Sequence, residues 1–402
     1  MKGDYNSNMT IYKDFEAQQD FLSDILVRAL EFLYRKGEVG NWKDIRGHSL
    51  AMWALIDCGE NPDSPLIQSA VEWLFRQIRK ENKGMSWESE VWDTALSIIS
   101  LLKSKVKPDD YRISNARNWL LSLRNDDWNW HYEPWETSLA LLAFSESRIN
   151  DQQLVWISKS IDWLIELQEK GDSKSEIQGK LISFHYTAFL ILIIGKLKEI
   201  YTEWYDLNRT KYQDSVTLAS NFLINYVKAK GIWTKECWSN GYILLALTKY
   251  HKETSFDFRD ECLNTVIIQW FKENEKNIVS GADIEDTALA VLGMWSLFLE
   301  RQVFRRLLVE DRSKNEETIR KGCMFDEFRR FTSLVSKKKL ALRKKMIKVN
   351  LDGSIELFIS KRNKKIFLGI MSATVMLLGW IAAGKEIISF IQKAISAFFK
   401  VS

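Results

Sequence analysis

One short pattern recurs six times along this chain, and it decides what the chain can fold into. Four copies are clear: EVWDTALSIISLL from Glu90, EPWETSLALLAF from Glu133, ECWSNGYILLAL from Glu236 and DIEDTALAVLGM from Asp283. Two looser copies keep the register, RGHSLAMWALI from Arg46 and SFHYTAFLILII from Ser183. The anchors Ser49, Asp93, Glu136, Tyr186, Ser239 and Asp286 fall 43 to 53 residues apart. Each string opens an apolar helix. A second helical signature lies between them: AVEWLFRQI at Ala70, ARNWLLSL at Ala116, SIDWLIEL at Ser160, ASNFLINYV at Ala219 and VIIQWFKE at Val266. An earlier helix, Phe15 to Arg35, partners the first string.

A repeating pair of helices cannot bury both apolar faces alone, so neighbouring pairs must stack. The strings are apolar nearly all round, as helices enclosed by others are. Six pairs that close on themselves leave no uncapped end. The expected fold is therefore all-α, a closed (α/α)6 toroid over residues 15–300, preceded by a tail at 1–14. Proline supports long helices. There are only 4 in the chain, and all fall between the apolar stretches.

After Glu300 the composition changes. Residues 301–365 are rich in Lys and Arg and read as a stalk of two basic amphipathic helices. A β-hairpin follows, alternating about Asp352-Gly353. Ile366 to Gly384 is uncharged and 19 residues long, enough to span a bilayer core as a transmembrane helix. Residues 385–402 place Ile387, Ile388, Ile391, Ala394, Ile395, Phe398 and Phe399 on one helical face, as an interfacial amphipathic helix does. The basic cluster before the span keeps the repeat body cytoplasmic. These features predict a single-pass membrane protein. Its partner is membrane lipid, and the C-terminal segment is a place where copies could associate. The basic stalk also suits nucleic acid, but the adjoining apolar segment explains its charge more simply. The 4 Cys, Cys58, Cys237, Cys262 and Cys323, lack CxxC spacing and read as reduced thiols. The start of the chain has no apolar run of the secretory type.

The motifs carry a resemblance. WLFRQ with GMSW, at Trp73 to Gln77 and Gly84 to Trp87, resembles the aromatic repeat of squalene–hopene cyclases. ADIEDTALAVLGM from Ala282 resembles the Asp-x-Asp-Asp-Thr-Ala motif of class II terpene cyclases. The chain thus looks like a member of the terpene-cyclase and prenyltransferase toroid superfamily, which includes enzymes and non-enzymatic binding domains. For a cyclase the resemblance implies Glu285 as proton donor, flanked by Asp283 and Asp286, acting on an isoprenoid. Glu stands where the family has Asp, and the second helical domain that completes the family's site is absent from the pattern.

Asp283 and Asp286 share columns with Glu90, Glu133, Glu236, Asp93 and Glu136, so helix-end roles suffice for them. Glu285 differs. Its column reads His48, Trp92, Trp135, His185, Trp238, Glu285, which predicts a ring of ligand-binding side chains at one mouth of the barrel. A carboxyl among indoles would be desolvated and held protonated. Asp260-Glu261-Cys262 has zinc-like spacing but falls on an outer helix, with no later His. No metal and no cofactor is expected. Two functions follow: a membrane-coupled module that binds or senses an isoprenoid or other small apolar ligand, with the layout of a bacterial stress or phage-defence effector, or a class II-type cyclase.

Overall fold

The computed structural model describes residues 4–147, 150–172, 184–231, 233–254, 256–257, 260–280, 283–309, 347–349 and 355–357. Among them are fourteen helices and two small hairpins, so the chain is all-α in character. It divides into two compact units, Met1–Phe331 and Thr332–Ser402.

In the first unit the predicted strings become α2 (Ile45–Asp57), α4 (Val91–Lys103), α6 (Pro134–Ser145), α8 (Phe184–Ile200), α11 (Cys237–Lys249) and α14 (Ile284–Val309). The intervening signatures become α3 (Pro65–Arg76), α5 (Tyr111–Leu123), α7 (Asp151–Asp172), α10 (Arg209–Lys230) and α13 (Glu261–Ser280), with α1 (Asp4–Glu38) ahead of them. Two short helices, α9 (Thr202–Leu207) and α12 (His251–Thr254), fill connections. Helix starts follow ordinary capping chemistry. Asp44 caps α2 by accepting from Gly47 N at 2.9 Å. Ser64 caps α3, with Pro65 at its first position.

Each string helix packs on the next: α2 on α4, α4 on α6, α6 on α8, α8 on α11 and α11 on α14, and α14 returns to α2. On the other side α1 meets both α3 and α13, and α13 meets α10. Burial agrees with this layering. In α4 nearly every residue from Val91 to Leu101 is buried, whereas α3 buries only Ile67, Ala70, Val71 and Leu74.

A repeated tryptophan ties the two kinds of helix together. Trp42, Trp87, Trp130 and Trp233 each sit three or four residues before a string helix and are at most 6% exposed. Each indole N–H donates to a leucine carbonyl of the preceding outer helix: Leu33 at 2.8 Å, Leu74 at 2.8 Å, Leu120 at 2.7 Å and Leu223 at 2.7 Å. A hydroxyl then fixes the tryptophan's own backbone. Thr94 Oγ1 accepts from Trp87 N at 3.0 Å, and Thr137 Oγ1 from Trp130 N at 3.0 Å. The residues that follow, Lys43, Glu88, Ser89, His131 and Tyr132, take left-handed φ of 53° to 71°. Such conformations are costly without glycine, and the pinned indole holds the turn in place.

Several boundaries differ from the sequence expectation. Helix α1 begins at Asp4, so residues 4–14 extend a helix rather than form a tail. Helix α14 runs to Val309, past the expected end at 300. A hairpin of β1 (Ile78–Glu81) and β2 (Gly84–Trp87) was not expected. Gly84 permits it: φ is 149°, and a Cβ would lie 2.3 Å from the Asn115 carbonyl oxygen. In the second unit β3 (Ile347–Val349) pairs antiparallel with β4 (Ile355–Leu357), the strands expected on either side of Asp352-Gly353. Asp352-Gly353, the part of the two basic helices beyond Val309, the apolar segment 366–384 and the amphipathic segment 385–402 lie outside the described residues. Among the described residues no helix is long and apolar enough to cross a membrane.

Candidate functional site

The first turns of α4, α6 and α11 bring together three residues of the expected ring, Trp92, Trp135 and Trp238. Trp92 of α4 meets Trp135 of α6 edge to face, with ring centres 4.8 Å apart. Trp135 also meets Trp238 of α11 at 5.3 Å and Tyr242 at 5.9 Å, and Phe189 of α8 at 5.1 Å. Helices α6 and α11 are not neighbours in the packing circuit, so these rings touch across its inside. Trp53 of α2 reaches Tyr242 from another side at 6.4 Å. Edge-to-face contacts of this kind add to the stability from burial alone.

Arg46 closes one side of the cluster. Its guanidinium lies 4.1 Å from the Trp92 ring centre and its Nε donates to Asp93 at 3.0 Å. Asp93 is buried, and burial raises its pKa against the opposing pull of Arg46. Two donors in the cluster, Trp92 Nε1 and Tyr242 Oη, are buried without a hydrogen-bond partner among the described residues. Burial and the nearby Glu285 push the Tyr242 phenol well above its ordinary value.

Glu285 lies in the first turn of α14, half-buried. Its carboxyl forms no hydrogen bond among the described residues. Burial, then the charges of Asp283 and Asp44, raise its pKa to about 7, while Arg46 and Lys43 pull the other way. It is thus a carboxyl poised to gain or lose a proton near neutrality. Its flanking acids do other work. Asp283 Oδ1 accepts from Glu285 N at 2.9 Å, capping α14. Asp286 Oδ1 accepts from Trp238 N at 2.9 Å, capping the neighbouring α11.

His48 departs from the expected ring. It is 4% exposed, stacks on Trp73 of α3 at 3.6 Å and 7°, and donates through Nδ1 to the Asp44 carbonyl oxygen at 2.9 Å. It therefore points into the layer between α2 and α3, because the large Trp73 and Trp42 rings offer it a better surface there. His185 is on α8, but its side chain lies outside the described residues.

At the other end of the string helices lies a feature that the sequence reading did not single out. A cavity of about 750 Å3 opens there, lined by Asp57, Lys103 and Lys249, the last residues of α2, α4 and α11, and by Glu199, Trp295 and Ser296. Lys103 donates to Asp57 at 2.8 Å. The same register would have shown it. Ten residues beyond Asp93, Glu136, Tyr186, Ser239 and Asp286 stand Lys103, Glu146, Lys196, Lys249 and Ser296, a polar column of which Lys103, Lys249 and Ser296 line the cavity.

Asp260 and Cys262 flank the start of α13, an outer helix, and no cluster of metal-ligand type is present among the described residues. Cys58, Cys237 and Cys262 are free thiols. No protein-family model matches the chain. No curated protein matches it either. The likeness to terpene cyclases therefore rests on the quoted motifs.

Proposed function

We propose that residues 15–300 form the core of a closed (α/α)6 toroid that binds or senses a small apolar ligand at its tryptophan-lined mouth. In this reading Ile366–Gly384 couples the body to a membrane, and the body stays on the cytoplasmic side. The layout suits a bacterial stress or defence effector. The observation that carries the reading is the pair of buried, unpartnered donors, Trp92 Nε1 and Tyr242 Oη, beside a Glu285 carboxyl raised to about 7. Unpaired donors in an aromatic wall are costly unless an acceptor reaches them, and a bound ligand can supply one. The return of α14 to α2 supports closure.

A second reading, a class II-type isoprenoid cyclase, has one observation in its favour. Glu285 keeps a proton available near neutral pH, as a general acid must. Against it, Trp135, Trp238, Phe189 and Tyr242 meet across the inside, where a cyclase would hold its folded substrate.

The test uses full-length protein purified from membranes. Extracted small molecules are profiled by mass spectrometry for wild type and Trp135→Ala, and squalene and geranylgeranyl diphosphate are offered as substrates. A compound that travels with wild type and is lost from Trp135→Ala, with no cyclised product, is the expected result. Cyclised product from wild type that Glu285→Gln abolishes would replace binding with catalysis. Carbonate extraction tests the anchor: the protein should stay in the pellet, and recovery in the supernatant would remove the membrane from the proposal.

A further inference from the structure

The cavity at the C-terminal ends of the string helices is distinct from the tryptophan mouth, and its charges are unevenly matched. Asp57 takes Lys103 at 2.8 Å and also accepts from Trp53 Nε1 at 2.9 Å. Glu146 takes Lys196 at 3.2 Å. Glu253 takes Lys198 at 2.7 Å, and Glu300 lies 3.6 Å from His251. Lys249 is placed differently. It lines the same cavity, yet among the described residues its amine forms no ion pair and no hydrogen bond. The amine lies 5.6 Å from the Tyr250 ring centre, and Asp57, Glu146 and Glu199 act on it through space without a direct contact.

We propose that this cavity is a binding site for a small amphiphilic organic anion, whose acidic group pairs with Lys249 and whose apolar part lies against Leu245, Leu292 and Trp295. The carboxylates around the cavity already hold cations or donors, so the amine of Lys249 is the charge that a ligand can complete. A volume near 750 Å3 falls within the range of small-molecule sites. The apolar lining side chains Leu292, Trp295 and Leu299 come from α14, which also contributes Ser296 and Glu300. Such a combination selects a molecule with one charged end and one apolar end. Burial, and then Lys103, push the Lys249 amine below its ordinary value, while Asp57, Glu146 and Glu199 hold it up. A bound anion would relieve that cost. Gly195 on α8 lets the Tyr250 ring lie close against the helix: a Cβ there would lie 2.5 Å from the ring.

The experiment is calorimetric titration of the full-length protein in a nonionic detergent with sodium naphthalene-1-sulfonate. The neutral compound 1-naphthalenemethanol serves as its partner. Wild type should bind the sulfonate more tightly than the alcohol. Lys249→Met should weaken the sulfonate at least ten-fold and leave the alcohol unchanged, while Lys249→Arg should stay within about three-fold of wild type. Equal affinity for the sulfonate in wild type and Lys249→Met, or no preference for the anion in wild type, overturns the proposal. A measurement on wild type alone guards against a variant that misfolds. Reductive methylation read by peptide mass spectrometry should show Lys249 shielded by the sulfonate while the exposed Lys80 stays reactive. Unchanged labelling of Lys249 in the presence of sulfonate also overturns it.

Discussion

The Asp286 carboxylate accepts a hydrogen bond from the backbone N–H of Trp238 at 2.9 Å, so the acid at the start of α14 caps α11 rather than its own helix. Adjacent string helices are thereby joined at their positively polarised ends. Asp286→Ala should lower stability by about 0.5–2 kcal/mol, the usual cost of a lost cap. Asp286→Asn should cost less, because its amide oxygen can still accept. Thermal melting of both variants checks the order. Equal losses would show that charge, not the hydrogen bond, is what Asp286 contributes.

Glu285 gives a pH signature with a definite sign. Its pKa is raised from an ordinary 4.5 to about 7 in the folded chain. Below 4.5 the carboxyl is protonated both folded and unfolded. Between 4.5 and 7 the unfolded chain releases the proton while the folded chain keeps it, so stability falls as pH rises, and above 7 the loss is complete. Allowing for solvent screening of a half-buried group, the loss is on the order of 1–2 kcal/mol. Glu285→Gln cannot ionise. It should melt close to wild type near pH 4 and above it at pH 8. Parallel melting curves for the two proteins from pH 4 to pH 8 would place Glu285 in an ordinary solvated setting.

Much of this arrangement was legible because a helix has a fixed period. The acid column Asp93, Glu136 and Asp286, once in register, placed the starts of all six string helices to within a residue, but not the end of α14. Trp92, Trp135, Trp238 and Glu285 share one column of that register, and Trp135 meets both Trp92 and Trp238. His48 does not join them, because its column fixes a position along the helix but not the direction of the side chain, and Trp73 lies on another helix. The role of the column after the acid was missed for a similar reason. Thr94 and Thr137 bond back seven residues to Trp87 and Trp130, and only the folded turn brings them together. The charged cavity is not legible from the starts of the string helices, because its lysines Lys103 and Lys249 stand at their ends.

Those threonines make a prediction of their own. Thr94→Val and Thr137→Val keep the shape and remove the acceptor from a buried tryptophan N–H. Each should cost about 1–3 kcal/mol, the penalty for an unsatisfied buried donor. Thr217, also on a helix but bonded only to the carbonyl four residues before it, should tolerate Val at less than about 1 kcal/mol. Chemical denaturation of the three variants compares them. No difference between Thr94→Val and Thr217→Val would mean the tryptophan turn does not depend on the hydroxyl.

A close helix crossing supplies the last prediction. Gly241 on α11 and Gly293 on α14 face each other with no side chain between: a Cβ on Gly241 would lie 2.5 Å from the Leu289 carbonyl oxygen, and one on Gly293 would lie 2.9 Å from the Gly241 carbonyl oxygen. Both contacts are with backbone, which cannot rotate aside as a flexible side chain can. A methyl at Gly241 must therefore push the two helices apart, and they carry the cap from Asp286 to Trp238 at one end and Lys249 with Trp295 at the other. Alanine ordinarily favours a helix over glycine by about 1 kcal/mol. Here that gain is outweighed by overpacking, which costs about 1–3 kcal/mol or more in a tight core. Gly241→Ala should therefore destabilise despite the better helix former, and Gly241→Val should do so more severely. Gly231, which ends α10 with a φ of 78° and open space around it, separates the two causes: Ala there meets no atom and suffers only the backbone strain of a left-handed residue. Denaturant unfolding should rank Gly241→Val below Gly241→Ala, with Gly231→Ala nearest to wild type. Only the Gly241 variants should also disturb the ligand sites proposed at the two ends of α11. A Gly241→Ala protein more stable than wild type would show that α11 and α14 do not approach this closely.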